Sequence, residues 1–204
     1  SEGGMIVPRS AKEVELTPEA LKALGIKEGE EQPTDGEALV RAVLRAPVEL
    51  LWNGGIGTYV KSAMQTHTDA GDPANDAVRL DTGELRCDVI GEGGNLGLTQ
   101  RARIEYANLG GRINTDALDN SGGVDMSDHE VNLKILLTPA VTSGMLEQDK
   151  RNQLLETLTE PVAELVLDNN RSQSLAVSLD ERRSKESIDE FRDLMLSLEK
   201  AGEL

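Results

Sequence analysis

The sequence has little cysteine, few aromatic residues and a shortage of positive charge, and each shortage excludes a class of protein. Its 204 residues include one cysteine, which leaves no intrachain disulfide framework and no thiolate metal cluster. One Trp, two Tyr and one Phe mean that the core must be aliphatic. Lys and Arg total 21 against 37 Asp and Glu, a net charge of −16, which disfavours nucleic acid and anionic membranes as partners.

Long apolar runs are also missing. No stretch approaches the roughly 20 apolar residues that span a bilayer, and no signal peptide opens the chain. These features predict a protein of a reducing compartment, located in the cytoplasm. The first residues contain no initiator Met and begin in a turn, which fits a piece of a longer protein and fits the remains of a tag equally well.

Short aliphatic strands alternate with helices over the first two thirds of the chain, and helices alone follow. The predicted strands are residues 48–52, which should be buried, 86–90 and 112–114. Residues 62–83 are polar and resemble a loop, with one helical turn expected around residues 73–78. Alternating strands and helices are typical of a parallel sheet with helical crossovers. The fold class predicted is therefore α/β with a helical extension.

Several helix ends carry local signals. Thr34 and Ser127 each stand three residues before a glutamate, which predicts capping boxes at the start of two helices. Pro139 is expected to end the helix that follows Ser127, and Pro161 to kink or split a later one. Residues 169–170, both Asn, predict a turn.

Each predicted strand leads towards a turn rich in Gly, Asn and Ser, at residues 53–57, 91–97 and 120–123. Parallel neighbours would place these turns on one rim of the sheet, where ligands bind in open α/β folds. Glycine lets the backbone approach a ligand, and Asn supplies both a donor and an acceptor. The alternative is a noncatalytic acidic α/β interaction or regulatory module in which the turns are only structural.

None of these turns is a dinucleotide fingerprint. In residues 91–97 the third glycine of G-x-G-x-x-G would fall on Leu96. In the turn that contains Gly55 and Gly57 it would fall on Val60. His67 and His129 are isolated, and no cluster has the spacing of metal ligands. The residues themselves therefore indicate no metal site and only weak catalytic candidates.

Three long blocks carry a resemblance to a known family. The chain resembles the large-subunit bacterial NAD-dependent glutamate dehydrogenases in VELLWNGGIGTY at 48–59, GEGGNLGLTQ at 91–100 and DNSGGVDMSDHEVN at 119–132. The resemblance covers nearly the whole chain. It implies a fragment from the later part of the catalytic region of an oxidoreductase that converts L-glutamate to 2-oxoglutarate and ammonium with NAD.

The same resemblance implies a domain organisation. Residues 1–124 would form the second half of a Rossmann-like coenzyme domain with part of its parallel sheet, and residues 125–204 an all-helical C-terminal segment. The remainder of the same polypeptide would be the main partner, and the parent enzyme would be a homo-oligomer. The family's catalytic lysine and aspartate and its pyrophosphate turn have no counterpart here, so the isolated chain is expected to be inactive.

Site residues follow from the resemblance alone. The residues implied to contact NAD are Asn53, Gly54, Gly55, Gly93, Gly94 and Asn95, and those implied to contact glutamate or 2-oxoglutarate are Asn120, Gly122, Gly123 and Ser127. Asn95 would lie beside the nicotinamide ribose, and Ser127 would contact a substrate carboxylate. Gly94 stands where the smaller enzymes of this activity have Ala.

Overall fold

The computed structural model describes residues 3–203, which form two compact units. One unit ends at Gly123 and the other begins at Val124. The elements described in the first unit are α1 (Pro18–Ala23), α2 (Gly36–Leu44), β1 (Leu50–Asn53), β2 (Val60–Lys61), α3 (His67–Ala70), β3 (Leu80–Asp81), β4 (Val89–Glu92), α4 (Gln100–Asn108), β5 (Arg112–Ile113) and α5 (Asp116–Asp119), with 3-10 turns at Pro73–Asn75 and Thr82–Glu84.

The strands of the first unit are parallel. β4 lies between β1 and β5, with Ile90 opposite both Leu51 and Ile113. β2 and β3 form a separate parallel pair. The predicted α/β class with a parallel sheet is confirmed, and the carboxyl ends of β1 and β4 meet at one rim.

Two strand predictions need correction. β1 is not buried, because it is an edge strand with one open face: the side chains of Leu50 and Trp52 are 54% and 56% exposed. β4 starts three residues later than predicted and also ends two residues later. Gly91 and Glu92 therefore belong to the strand and not to the turn. Gly91 pairs with Trp52, whose indole lies in the space that a Cβ at Gly91 would need.

The core of the first unit lies between the sheet, β2 and α4. Ile90, Leu98, Ala102 and Tyr106 are buried there, and Thr99 caps α4 by accepting a hydrogen bond from the Ala102 N–H. Residues 62–83 are more ordered than the predicted loop, because this polar stretch contains α3 and β3 and is tied down by hydrogen bonds and ion pairs.

The start of α2 corrects one capping prediction. Its N-cap is Asp35, whose Oδ1 accepts a hydrogen bond of 2.8 Å from the Ala38 N–H. Thr34 therefore does not head a capping box. The capping pattern was shifted by one residue because Asp and Thr are both good N-caps and stand side by side.

The second unit is helical, as predicted for this segment. The helices described are α6 (Asp125–Thr142), α7 (Gln148–Thr157), α8 (Thr159–Glu186) and α9 (Ile188–Ala201). None of the helices within residues 3–203 combines the length and the apolar character that crossing a membrane requires.

Proline and asparagine act differently in these helices than predicted. α6 continues past Pro139, because the hydrogen bonds after it still form, such as Ser143 N–H to Pro139 O at 2.9 Å. The helical break falls at Leu158, and Pro161 lies in the first turn of α8, where a missing N–H costs little. Residues 169–170 are helical, and Asn169 Nδ2 donates to Asp125 Oδ2 on α6 at 3.0 Å.

Candidate functional site

The turns after β1 and β4 interlock. The Gly94 N–H donates to the Asn53 carbonyl oxygen at 3.1 Å. A Cβ at Gly94 would overlap the Gly55 carbonyl, so only glycine lets the two backbones come this close. The predicted coenzyme residues of these two turns are thus brought together by direct backbone contact.

The Trp52 side chain packs against the end of β4 and the turn that follows it. Its indole occupies the space that a Cβ at Gly93 would need, and its Nε1 lies near Gly54. Because the sequence placed Trp52 in a buried strand, this exposed aromatic next to the rim was missed. Its place immediately before the first glycine turn was the available signal.

The third turn joins the rim through a pair of amides. Asn120 is buried and donates from Nδ2 to the Oδ1 of exposed Asn95 at 2.5 Å. α5 separates this turn from β5, so it does not follow the strand directly as predicted. Gly122 and Gly123 lie beyond Asn120 and are exposed, and Gly123 packs closely against the Asn120 side chain.

A buried ion pair between Glu92 and Arg103 supports the turn that follows β4. Glu92 is fully buried, and the Arg103 guanidinium donates to its two carboxylate oxygens at 2.6 and 3.0 Å. The Leu98 N–H donates to Glu92 Oε1 at 3.0 Å, which closes the turn. Sequence reasoning missed this pair because it placed Glu92 in the turn at residues 91–97 and not in the strand.

Two aspartates complete that support. Asp119 accepts a hydrogen bond from the Glu92 N–H at 3.0 Å, and Asp116 accepts one from the Leu96 N–H at 2.7 Å. Asp116 also lies 3.2 Å from Arg103. Burial by itself would raise the pKa of Asp116. The hydrogen bond from the Leu96 N–H and the charge of Arg103 outweigh burial, so the pKa is lowered. The carboxylate form is therefore the one built into the turn.

Asn53 provides a second feature that a coenzyme could use. Its Nδ2 is buried and has no hydrogen-bond partner among the described residues. The residue lines a cavity of about 620 Å³ between α2 and the sheet, together with Leu39, Val43, Leu51, Trp52 and Tyr59. The Nδ2 packs against Gly97, and the cavity beside it has mainly apolar walls, which fit a flat ring such as nicotinamide.

Ser127 lies in the second unit, where it is exposed in the first turn of α6. The N-cap of this helix is Val124, and no side chain caps it. Ser127 is therefore the third helical residue and not the head of a capping box. The capping box was predicted because the pattern Ser-x-x-Glu occurs, but α6 begins at Asp125, two residues before Ser127.

The two histidines each contact a charged neighbour. His67 Nδ1 is 2.9 Å from Arg79 Nη1, and His129 is 3.5 Å from Asp125 one turn away on α6. Within residues 3–203, no group of three or more His, Cys, Asp or Glu side chains could hold a metal ion.

Comparison with known proteins identifies the family. The family model described as "Bacterial NAD-glutamate dehydrogenase, catalytic domain" matches residues 1–180. The chain belongs to this family. Membership in the bacterial NAD-glutamate dehydrogenases confirms the resemblance carried by the three motif blocks.

Curated relatives agree with the family assignment. The chain is 53% identical to the NAD-specific glutamate dehydrogenase of Pseudomonas aeruginosa and 52% identical to that of Halomonas elongata, in both cases over its full 204 residues. It is 51% identical to the enzyme of the same name from Mycobacterium tuberculosis over 181 residues, or 85% of this chain. The matches span 11–12% of the length of these relatives.

Proposed function

We propose that the chain forms the nicotinamide side of an NAD site and part of a glutamate pocket, as one segment of a longer glutamate dehydrogenase. The observation that carries the proposal is the rim at which three turns meet, with the Asn95–Asn120 amide pair at its centre. The names of the relatives, NAD-specific glutamate dehydrogenase, support NAD as the coenzyme and glutamate as the substrate.

In the proposed reaction, L-glutamate, NAD⁺ and water give 2-oxoglutarate, ammonium, NADH and a proton. The coenzyme supplies the hydride acceptor. What this chain contributes is binding and orientation, which make hydride transfer fast by holding the reacting atoms at near-attack distance.

Asn95 is oriented for a ribose hydroxyl. Asn120 donates to the Oδ1 of Asn95, which fixes the amide plane and leaves the Nδ2 group of Asn95 as the donor for the ligand. Asn53, at the end of β1, would face the nicotinamide. Gly54, Gly55, Gly93 and Gly94 would keep the surface between these amides low enough for the ring to approach.

The substrate contacts proposed are those of the third turn and α6. Asn120, Gly122 and Gly123 form the turn, and Ser127 would donate its hydroxyl to a glutamate carboxylate. The first turn of α6, an 18-residue helix, carries the positive end of the helix dipole, which favours an anion. These roles rest on the family resemblance together with the exposure of Ser127.

The rest of the polypeptide would supply the acid–base residues, the pyrophosphate turn and the contacts of a homo-oligomer. The isolated 204-residue chain should therefore produce no NADH from glutamate and NAD. Turnover by the purified chain above contaminant controls would contradict this part of the proposal.

Replacing Asn95 in the full-length enzyme tests the proposed coenzyme turn. Asn95→Ala should lower kcat/KM for NAD about tenfold to a hundredfold, because a lost hydrogen bond of this kind costs roughly 1–3 kcal/mol. Asn108→Ala, at an exposed amide at the end of α4, is the matched control and should leave the kinetics unchanged.

The same pair of variants addresses the noncatalytic alternative. If Asn95→Ala keeps normal kinetics and lowers only the melting temperature, Asn95 is a turn former and the coenzyme role fails. If the full-length protein does not bind NADH at all, the interaction or regulatory module is the better explanation.

A further inference from the structure

Leu96 has a backbone conformation that leucine rarely adopts. Its φ is +56°, and among the described residues it is the one non-glycine residue with a positive φ. The left-handed region brings the Cβ of an L-residue too close to the following carbonyl oxygen, at a cost that glycine avoids. A glycine at this position would relieve the strain, and three of the other four residues in the stretch 93–97 are glycine.

The surrounding structure holds Leu96 in this conformation. Its N–H donates to Asp116 Oδ2 at 2.7 Å, and Asp116 is fixed by Arg103 at 3.2 Å. The support acts on the backbone of Leu96 and would hold any residue there. The leucine side chain is therefore not explained by the hydrogen bonds that stabilise the turn.

Folding does not explain the side chain either. The residue is 60% exposed, so that its isobutyl group gains little from the hydrophobic effect in this unit. The neighbouring glycines face protein atoms: Gly93 faces Trp52, Gly94 faces Gly55, and Gly97 faces Asn53. Within this stretch, Asn95 and Leu96 are the two side chains displayed to the outside.

We propose that Leu96 is a coenzyme-contact residue whose side chain packs against the apolar face of the nicotinamide ring. The proposal rests on the function proposed above for Asn95. Two adjacent side chains, one amide and one aliphatic, match a ligand in which a hydroxylated ribose is joined to a flat ring. Strained residues that the surrounding structure over-determines concentrate at ligand clamps, and this clamp would explain why the strain is kept.

The test compares Leu96→Gly with Leu109→Gly in the full-length enzyme. Leu109 is 66% exposed at the end of α4 and has an ordinary negative φ, so it controls for the loss of an exposed leucine. Leu96→Gly should weaken NADH binding about fivefold to tenfold, measured by nicotinamide fluorescence, because apolar contact area is lost. The KM for glutamate should stay within twofold, and the melting temperature should stay or rise.

A second variant separates the shape of the backbone from the chemistry of the side chain. Leu96→Asn keeps a residue that tolerates a positive φ but removes the apolar group, and it should weaken NADH binding as Leu96→Gly does. Leu109→Gly should leave NADH binding unchanged.

Three results would overturn the inference. The first is an NADH affinity that stays unchanged in both Leu96 variants, and the second is a glutamate KM that rises while the NADH dissociation constant does not. The third is a lower melting temperature of Leu96→Gly, as expected if the leucine side chain packs on protein. If Asn95→Ala weakens NADH binding and the Leu96 variants do not, this inference fails alone. If neither position affects NADH binding, the proposed coenzyme turn fails with it.

Discussion

The two units of the chain use charged residues in opposite ways. In the unit that ends at Gly123, most of the ion pairs described join different segments of the chain, as between Glu92 and Arg103 or between Arg45 and Glu84, and Asp76–Arg79 is a local exception. In the unit that begins at Val124, the ion pairs described are between residues three or four apart on one helix, such as Glu181 with Lys185. The first kind fixes tertiary structure, while the second supports individual helices.

Burial follows the same division. Among the described residues, Val166 is the buried apolar side chain of the helical unit, and the other buried apolar side chains lie in the α/β unit. The candidate coenzyme rim therefore belongs to the unit in which polar groups are buried and paired. The shape of the rim therefore depends on the buried ion pair of Glu92 and Arg103 as well as on its glycines.

Breaking the pair behind the rim should have the largest effect. Glu92→Ala leaves Arg103 without its main partner in a buried place, and should destabilise the first unit by about 3–5 kcal/mol. Trp52, the single tryptophan, lies in this unit, so that its fluorescence during urea unfolding reports on this unit.

The control for this variant lies in the other unit. Glu181→Ala removes an exposed, helix-local ion pair and should leave urea unfolding unchanged when it is followed by the helical signal at 222 nm, because such pairs are screened by water and salt. Equal losses from the two variants would show that the contrast between the units is not energetic.

The packing of the helical unit can be tested at its buried valine. Val166 is 3% exposed, and Val166→Ala removes two methyl groups, which should cost about 1.5 kcal/mol. Leu167→Ala, at a neighbouring side chain that is 54% exposed, should cost much less. Helical signal at 222 nm during thermal unfolding measures both, and a larger loss at Leu167 would mean that the exposed face of α8 is covered by other parts of the protein.

Ser127 tests whether the helical unit contributes to function without contributing to stability. In the full-length enzyme, Ser127→Asp places a carboxylate in the first turn of α6, which helices tolerate well, but it should repel a glutamate carboxylate and raise the KM for glutamate by at least about tenfold. NADH affinity and melting temperature should not change. Ser172→Asp, at an exposed position on α8, is the control, and an unchanged glutamate KM in a well-folded Ser127→Asp enzyme removes Ser127 from the pocket.

Acid should affect the α/β unit through Asp116, with the smallest effect of this series. Its pKa is lowered in the folded state, so its contribution to stability is complete above the ordinary aspartate value of 3.8 and is lost as the pH falls below it. Asp116→Asn should be less stable at pH 7 and should lose less between pH 5 and pH 3, as followed by Trp52 fluorescence. Parallel acid curves for both proteins would exclude this role.

Local sequence signals predicted much of the α/β unit correctly. The short strand β5 and the parallel arrangement of strands depend on neighbouring residues or on the order of elements. The errors arose where the sequence permits more than one local reading. Asp35 and Thr34 are both good caps, and Ser127 forms a capping pattern inside a helix that had already begun.

The sequence by itself determined the family, the α/β class, the helical character of the second unit and the three glycine turns. Each of these can be recognised from residues that are close together in the chain. Tertiary structure alone decided that Glu92 is a buried partner of Arg103, that Asn120 reaches Asn95, and that Leu96 is held with a positive φ. The physical reason is that these contacts join residues from different elements. Local propensities carry no information about which distant group will satisfy a buried charge or amide, and only the packed fold makes that choice.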